Sequence, residues 1–186
     1  MKSGDMEWFG EGGFGFAEKN SIEVPEGAYI FSYDNVTNLF TRRLSNCRAI
    51  TIATQQDEKH GRLLTHTLPG AICVCHLTPA KNFINQRGVL IKKASIVSSM
   101  GFRGHLDSSD LHIIEMLKRY FDEANICSGF SFDFMRASRV AISNKGIISE
   151  GTKEETIEHI NATYGAYNSP GFAEEILDLN PSFKIM

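Results

Sequence analysis

One cysteine and one histidine occupy neighbouring segments whose composition is typical of β-strands. Cys47 opens the segment 47–54 and His66 lies within the segment 63–68, and both segments are rich in β-branched residues. The polar stretch between them predicts a turn, so the two segments are expected to pair as a hairpin. A thiol beside an imidazole can act as a nucleophile with its own general base, which is the chemistry of carboxamide hydrolysis by cysteine enzymes.

The register of that hairpin decides whether the two side chains meet. A turn centred at residue 56 or 57 places His66 directly across from Cys47, where Cβ atoms on one face lie about 5 Å apart. A turn centred nearer Glu58 shifts the register by two or three residues, so spacing alone leaves both arrangements open. His60 is the poorer partner, because pairing it with Cys47 would centre the turn inside the apolar strand. We expect His60 at the solvated loop tip.

The residues around this pair resemble a known signature. The segment 41–47, Thr-Arg-Arg-Leu-Ser-Asn-Cys, followed by 64–69, Leu-Thr-His-Thr-Leu-Pro, is similar to the pattern of the superfamily that contains the chemotaxis receptor deamidase CheD and the cytotoxic necrotizing factors. Thr41, Cys47 and His66 fall on its three characteristic positions. The tetrapeptide Leu-Ser-Asn-Cys also resembles the Leu-Ser-Gly-Cys motif of the necrotizing factors and of Burkholderia lethal factor, with asparagine where the toxins carry glycine.

The resemblance implies a role for each of these residues. Cys47 would be the nucleophile, His66 the general base and Thr41 the residue that orients the imidazole, while the backbone N–H groups of Asn46 and Cys47 would hold the oxyanion. It implies a protein glutamine deamidase of bacterial effector or toxin type, with no cofactor or metal. The expected partner is a host protein with a surface glutamine, met in the host cytosol after secretion; otherwise the protein would work in the bacterial cytoplasm.

Other functions are compatible with the same residues. A cysteine protease, a deubiquitinase or a transglutaminase would use the same Cys47 and His66. A non-catalytic binding domain would hold Cys47 as a packed core residue. The laccase-like purine nucleosidases, related to the superfamily by fold, need further His and Cys metal ligands that the sequence does not offer.

The remaining cysteines point to packing. Cys73, Cys75 and His76 suggest a metal site, but in a strand the two cysteines would share one face and the histidine the other, with no second ligand pair at zinc spacing. Cys127 follows a predicted helix and is expected to be buried near its end. A chain with four cysteines in 186 residues is not a disulfide scaffold, so all four are expected to be reduced.

Composition excludes several classes of protein. The chain is 42% hydrophobic and 22% charged, as in ordinary globular proteins. Its formal net charge of -3 provides no strong field for a polyanion, so nucleic acid is not an expected partner. No apolar run approaches the ~20 residues of a membrane span, and the N-terminus lacks the charged-then-apolar order of a classical export signal.

The elements that would position the pair are predicted from hydrophobic periodicity and turn signals. A Gly-rich and aromatic segment, 1–20, is expected to be a flexible arm, and 21–186 a single catalytic domain. The stretch 34–44 is ambiguous between helix and strand. We expect an α/β (α+β) fold with a central mixed or antiparallel sheet, as two packed sheets flanked by helices. Further strands are expected at 29–32, 71–77, 89–97, 130–134 and in a hairpin at 139–148, and helices at 109–124, 153–164 and 172–179.

Overall fold

The computed structural model describes residues 20–56, 59–68, 90–98, 131–165, 169–179 and 183–185, with the single positions 78, 82, 85, 115 and 119. Within that part of the chain, ten strands and two helices have defined bounds. The strands are β1 (Ser21–Glu23), β2 (Tyr29–Ser32), β3 (Asn38–Arg42), β4 (Arg48–Gln56), β5 (Lys59–Thr67), β6 (Leu90–Ser98), β7 (Ser131–Arg136), β8 (Arg139–Ile142), β9 (Ile148–Glu150) and β10 (Phe183–Ile185). The helices are α1 (Lys153–Tyr164) and α2 (Phe172–Leu179).

The strands form two sheets. The smaller sheet has the strand order β1-β3-β8-β9, and the larger sheet has the order β10-β7-β6-β4-β5-β2. Most neighbouring strands run antiparallel, and the exceptions among the described strands are the parallel pairs β1–β3 and β6–β7. The chain is therefore an α+β protein with two packed, mostly antiparallel sheets, and the predicted fold class is confirmed.

The two sheets pack through an apolar layer, which we call the inter-sheet layer. Each of its central side chains is at most 2% exposed. They are Leu39, Val140 and Ile142 from the smaller sheet and Ala49, Ala53, Leu64 and Val97 from the larger sheet. Full burial of one aliphatic side chain of this size stabilises the fold by about 1.5–3 kcal/mol. The layer thereby fixes the strands that carry the candidate site.

The β4–β5 hairpin lies inside the larger sheet, with β6 on one side and β2 on the other. Its side chains alternate between two buried faces. Ala49 and Leu64 belong to the inter-sheet layer, whereas Ile50 and Leu63 lie on the opposite face and are equally inaccessible. Burial on both faces favours small, aliphatic and β-branched side chains, and the buried positions of β4 include Thr51 and Thr54. This burial explains why the segment 47–54 is so readily recognised as a strand.

The turn of this hairpin is shorter than its sequence suggests. The polar stretch 55–61 predicts a loop, but β4 extends to Gln56 and β5 begins at Lys59. Pairing continues because it satisfies backbone groups even where the side chains are polar. The register pairs Ala49 with His66, so of the two arrangements that the spacing left open the structure has the shifted one, in which His66 is not directly across from Cys47. The turn is centred between residues 57 and 58.

Other predicted elements occur close to their expected bounds. The strand 29–32, the hairpin that follows residue 139 and both C-terminal helices are observed. Helix α1 begins with the predicted capping box, in which the side chains of Thr152 and Glu155 each accept a hydrogen bond from the other residue's backbone N–H. The ambiguous stretch 34–44 forms a turn and then β3. The sequence does not predict β1 or β10, because three-residue strands carry too little periodicity.

Some predictions fall outside the described residues. They concern the arm 1–20 except for Asn20, the strand 71–77 and most of the helix 109–124, of which positions 115 and 119 are helical. None of the helices in the described part of the chain is long and apolar enough to cross a membrane.

Candidate active site

Thr41 and His66 meet at the interface between the two sheets. Thr41 lies in β3 of the smaller sheet and His66 in β5 of the larger sheet, and Thr41 Oγ1 is 2.7 Å from His66 Nδ1. The same hydroxyl donates its only hydrogen to the carbonyl oxygen of Val24 at 2.8 Å. The contact with His66 must therefore be donated by the Nδ1–H of the imidazole. This tautomer leaves a lone pair on Nε2.

The imidazole of His66 is almost completely buried, with 4% of the residue exposed. Its Nε2 atom has no hydrogen-bond partner among the described residues. Burial lowers the pKa of His66, because a charged imidazolium would lose its solvation; Glu26, the carbonyl of Val24 and Glu23 oppose this effect without cancelling it. A neutral imidazole with an unused lone pair is suited to accept a proton.

Cys47 lies one residue before β4 and is 7% exposed. It is a free thiol. Its Sγ atom donates to Glu26 Oε1 at 3.5 Å. Burial, the negative charge of Glu26 and this hydrogen bond together raise the pKa of Cys47 to about 11. The resting site therefore holds a protonated thiol at neutral pH.

Cys47 and His66 nevertheless lie on the same face of the larger sheet. Cys47 is two residues before Ala49, the partner of His66, and lies one residue outside β4. Cys47 and Ala49 both belong to the inter-sheet layer. Such diagonal positions are about 7–8 Å apart, within reach of long side chains. The thiol is bonded to Glu26 and Nε2 has no partner among the described residues, so Cys47 and His66 are not hydrogen-bonded to each other in the resting site.

A five-residue connection between β1 and β2 bonds the side chains of Thr41 and Cys47 and the backbone of His66. We call this segment, Val24 to Ala28, the crossover turn. Ala28 N donates to Pro25 O at 3.1 Å and Gly27 has a φ of 77°, which is the geometry of a type II turn with glycine at its third position. Gly27 N donates to His66 O at 2.7 Å, and His66 N donates to Ala28 O at 2.9 Å. Both the backbone N–H and the backbone C=O of His66 are therefore bonded to the crossover turn.

The sequence alone does not indicate Glu26 or Val24 as residues of the site. Val24 accepts the hydroxyl of Thr41, and Glu26 accepts the thiol of Cys47. The only local signal is the Pro-Glu-Gly sequence, which predicts a turn but not the strand against which the turn docks.

The segment that leads into Cys47 has an unusual backbone. Arg43 has a φ of 63°, in the left-handed region that non-glycine residues seldom occupy. Leu44 N donates to Ser138 O at 2.9 Å, and Ser45 N donates to Arg43 O at 2.9 Å. In the part of the chain that the structure describes, the backbone N–H groups of Asn46 and Cys47 have no acceptor. Two adjacent N–H groups beside a sulfur are the donors that an oxyanion requires.

His159 of α1 adds a contact to this segment that the sequence did not predict. Its Nε2 atom is 2.7 Å from Ser45 Oγ, two residues before Cys47. Burial lowers the pKa of His159, and the nearby charge of Arg43 lowers it further. The helix and the candidate nucleophile are thus joined through a neutral histidine.

The remaining candidates from the sequence contribute nothing to the described site. Cys73, Cys75, His76 and Cys127 lie outside the described residues. His60 is in β5, half-buried, and not at a loop tip as predicted. Within the described ranges, no three His, Cys, Asp or Glu side chains are grouped so that they could hold a metal ion.

Comparisons with known proteins do not assign the chain to a family. Neither the models of protein families nor the curated proteins include one that matches it.

Proposed function

We propose that this chain is a cysteine-dependent protein glutamine deamidase of the CheD and necrotizing-factor type. The observation that carries the proposal is the chain of contacts from Val24 O through Thr41 Oγ1 to His66 Nδ1, which presents a buried lone pair on the sheet face that also bears Cys47. Thr41, Cys47 and His66 are the positions on which the sequence resemblance rests. Two independent lines, the motif and the geometry, therefore support the same three residues.

The proposed reaction begins with proton transfer to His66. As Sγ of Cys47 turns from Glu26 and attacks the carboxamide carbon, Nε2 of His66 accepts the thiol proton. The carbonyl oxygen becomes an oxyanion and accepts hydrogen bonds from the backbone N–H groups of Asn46 and Cys47. Imidazolium then returns the proton to the amide nitrogen, the C–N bond breaks, and ammonia leaves a thioester on Cys47.

Hydrolysis of the thioester completes the cycle. His66 Nε2 removes a proton from water, the resulting hydroxide attacks the carbonyl carbon, and the C–S bond breaks. The thiolate recovers its proton from His66. One water is consumed and one ammonia is released, and the new carboxylic acid gives its proton to the ammonia or to solvent, so that glutamine becomes glutamate with one new negative charge.

The proposed setting is a reducing cytosol, because an unoxidised thiol is required. We propose a bacterial effector whose substrate is a host protein with a glutamine on an exposed segment. Because Cys47 is nearly buried, only a substrate side chain that extends away from the backbone of the substrate protein can reach the sulfur.

A binding domain without catalysis is the second candidate. It is favoured by the thiol itself, which is protonated at rest and is bonded to Glu26 instead of His66. In that case Cys47 is a packed residue and its replacement by alanine leaves every activity unchanged.

Mass spectrometry separates the two candidates. Wild-type protein and Cys47→Ala are incubated with a eukaryotic cell lysate, and glutamine sites are searched for conversion to glutamate. The proposal expects sites that convert with the wild type and not with Cys47→Ala, Cys47→Ser or His66→Ala. Conversion by Cys47→Ser at the wild-type rate would refute it, and cleaved or cross-linked products would identify a protease or a transglutaminase instead.

A further inference from the structure

Glu26 lies on the solvent side of the candidate nucleophile. The residue is exposed, whereas Cys47 is 7% exposed, and Glu26 Oε1 accepts the thiol hydrogen at 3.5 Å. It is the central residue of the crossover turn, whose backbone is fixed by bonds to His66. A group that approaches the sulfur from this side shares space with the carboxylate or bonds to it.

The chemistry of the substrate and the product differs at this position. A primary carboxamide offers two N–H donors on one nitrogen, whereas the carboxylate product offers only acceptors. With the carbonyl oxygen bonded to the N–H groups of Asn46 and Cys47, the nitrogen of the same carboxamide points away from them and requires an acceptor of its own. Glu26 is the acceptor that the described residues place beside that sulfur.

We infer that Glu26 is a specificity-determining residue, whose carboxylate accepts an N–H from the primary carboxamide and repels a carboxylate. The inference rests on the proposed function, which supplies the carboxamide. Glu26 forms and breaks no covalent bond: it exchanges the S–H donor of Cys47 for an N–H donor of the substrate. The thiol proton is then available to His66 Nε2, and after hydrolysis the negative product is expelled.

This exchange also explains a resting thiol that is difficult to ionise. Glu26 raises the pKa of Cys47 both by its charge and by its hydrogen bond, after the larger effect of burial. A carboxamide that engages Glu26 removes the hydrogen bond to the thiol. The nucleophile would thereby be activated by the substrate and protected without it.

Two alkylating reagents test the selection directly. Iodoacetamide carries a primary carboxamide and iodoacetate a carboxylate, and both react with the thiolate. The ratio of their rates at Cys47 is therefore independent of the fraction of thiol that is ionised. Each rate is followed on the peptide that contains Cys47 by mass spectrometry, and the ratio is divided by that of N-acetylcysteine at the same pH and salt. We expect a wild-type preference for iodoacetamide of about tenfold or more, because like charges in contact are strongly unfavourable.

Glu26→Gln is the test variant, and its normalised ratio should fall to near one. Glu23→Gln is the matched control, since it removes the same charge from a residue of β1 that pairs with Arg42 at 2.8 Å and has no hydrogen bond to the thiol. It should keep the wild-type ratio. A wild-type ratio in Glu26→Gln, or an equal loss in Glu23→Gln, would overturn the inference. Thermal unfolding of each variant verifies that it is folded.

The test separates this inference from the proposed function, because alkylation requires no turnover. If the alkylation ratio depends on Glu26 but the protein converts no glutamine, the selective site is supported and the deamidase is refuted. Glutamine conversion with a Glu26-independent ratio would retain the deamidase and refute the role of Glu26. Where conversion is found, Glu26→Gln should also raise KM and strengthen inhibition by the glutamate product.

Discussion

The hydroxyl of Thr41 determines which nitrogen of His66 can act as a base. It donates to Val24 O and accepts from Nδ1–H, so the imidazole has one orientation and one tautomer. Strand periodicity in β3 indicates neither bond, since a threonine is an ordinary strand residue there, and Thr41 was singled out by the family resemblance alone. As a result, Nε2 carries a lone pair that no described residue uses.

Thr41→Val should impair the reaction while preserving the shape of the side chain. The Nδ1–H would lose its acceptor, and the Nε2–H tautomer, which cannot take a proton from Cys47, would become populated. We expect kcat/KM to fall about 10–100-fold, the range seen when a group that orients a functional histidine is lost. The unfolding free energy should fall by about 1–3 kcal/mol, because Val24 O and Nδ1 are left buried without partners.

Thr41→Ser is the control for this prediction, because it restores the hydroxyl and should remain within a few-fold of the wild type. Nitrogen NMR spectra of the His66 side chain report the tautomer without any substrate. A tautomer that is the same in Thr41→Val and in the wild type would contradict the assigned role.

At the scale of elements, the crossover turn joins the two sheets at the candidate site. It connects β1 of the smaller sheet to β2 of the larger sheet, and within five residues it bonds Thr41, Cys47 and both backbone groups of His66. Near the other end of β5, Arg62 also links the two sheets. Its fully buried guanidinium donates to Asn144 O at 2.9 Å, in the β8–β9 turn, and to Asp34 Oδ1 at 3.2 Å. One strand therefore carries a structural cation at one end and a candidate base at the other.

Gly27→Ala should reveal how much activity depends on this turn. An added Cβ meets no atom within 4 Å, so the cost arises from the φ of 77° alone. Left-handed backbone costs a non-glycine residue about 1–2 kcal/mol, and relief of this strain would displace Glu26 and the backbone of His66. We expect a loss of kcat/KM and a smaller preference of Cys47 for iodoacetamide over iodoacetate.

Gly171→Ala provides a matched control for the strain. Gly171 has a φ of 87° and equally open surroundings, and it immediately precedes α2, away from the crossover turn. Both variants should lose a similar unfolding free energy in urea, but only Gly27→Ala should change the chemistry of Cys47. Equal activity in the two variants would show that the turn does not position the site.

The same elements show what the sequence can predict and what it cannot. The strand 47–54 was recognisable because it is rich in β-branched residues, and α1 because its capping box is local. The register of β4–β5 was not predictable, since seven polar residues at 55–61 allow several turn centres and only tertiary pairing selects one. Glu26 and His159 were missed for a related reason: their partners, Cys47 and Ser45, are 21 and 114 residues away in the chain. Proximity of that kind has no periodic signature.

At the scale of the whole molecule, the buried titratable groups of the candidate site should lower the free energy of unfolding at acidic and at alkaline pH. His66 and His159 have pKa values lowered by burial. The unfolded chain therefore binds more protons than the folded one as pH falls below about 6.5, and stability declines there. Cys47 acts at the other limit, since its pKa is raised from 9.0 to about 11 by folding. Above pH 9 the unfolded chain loses this proton first, and stability declines as pH rises.

The difference in unfolding free energy between the wild type and Cys47→Ala isolates the contribution of the Cys47 thiol at alkaline pH, because the other titratable groups contribute equally to both proteins. We expect this difference to be constant between about pH 7 and 8 and then to fall by on the order of 2 kcal/mol as pH rises toward 11. Urea unfolding under reducing conditions at a series of pH values measures it. Glu26→Gln should shrink the fall, since it removes the charge and the hydrogen bond that help to raise the pKa of the thiol. A difference that does not change with pH would mean that the thiol ionises as easily in the folded protein as in the unfolded chain. Cys47 would then not be the desolvated, carboxylate-bonded thiol on which selection by Glu26 depends.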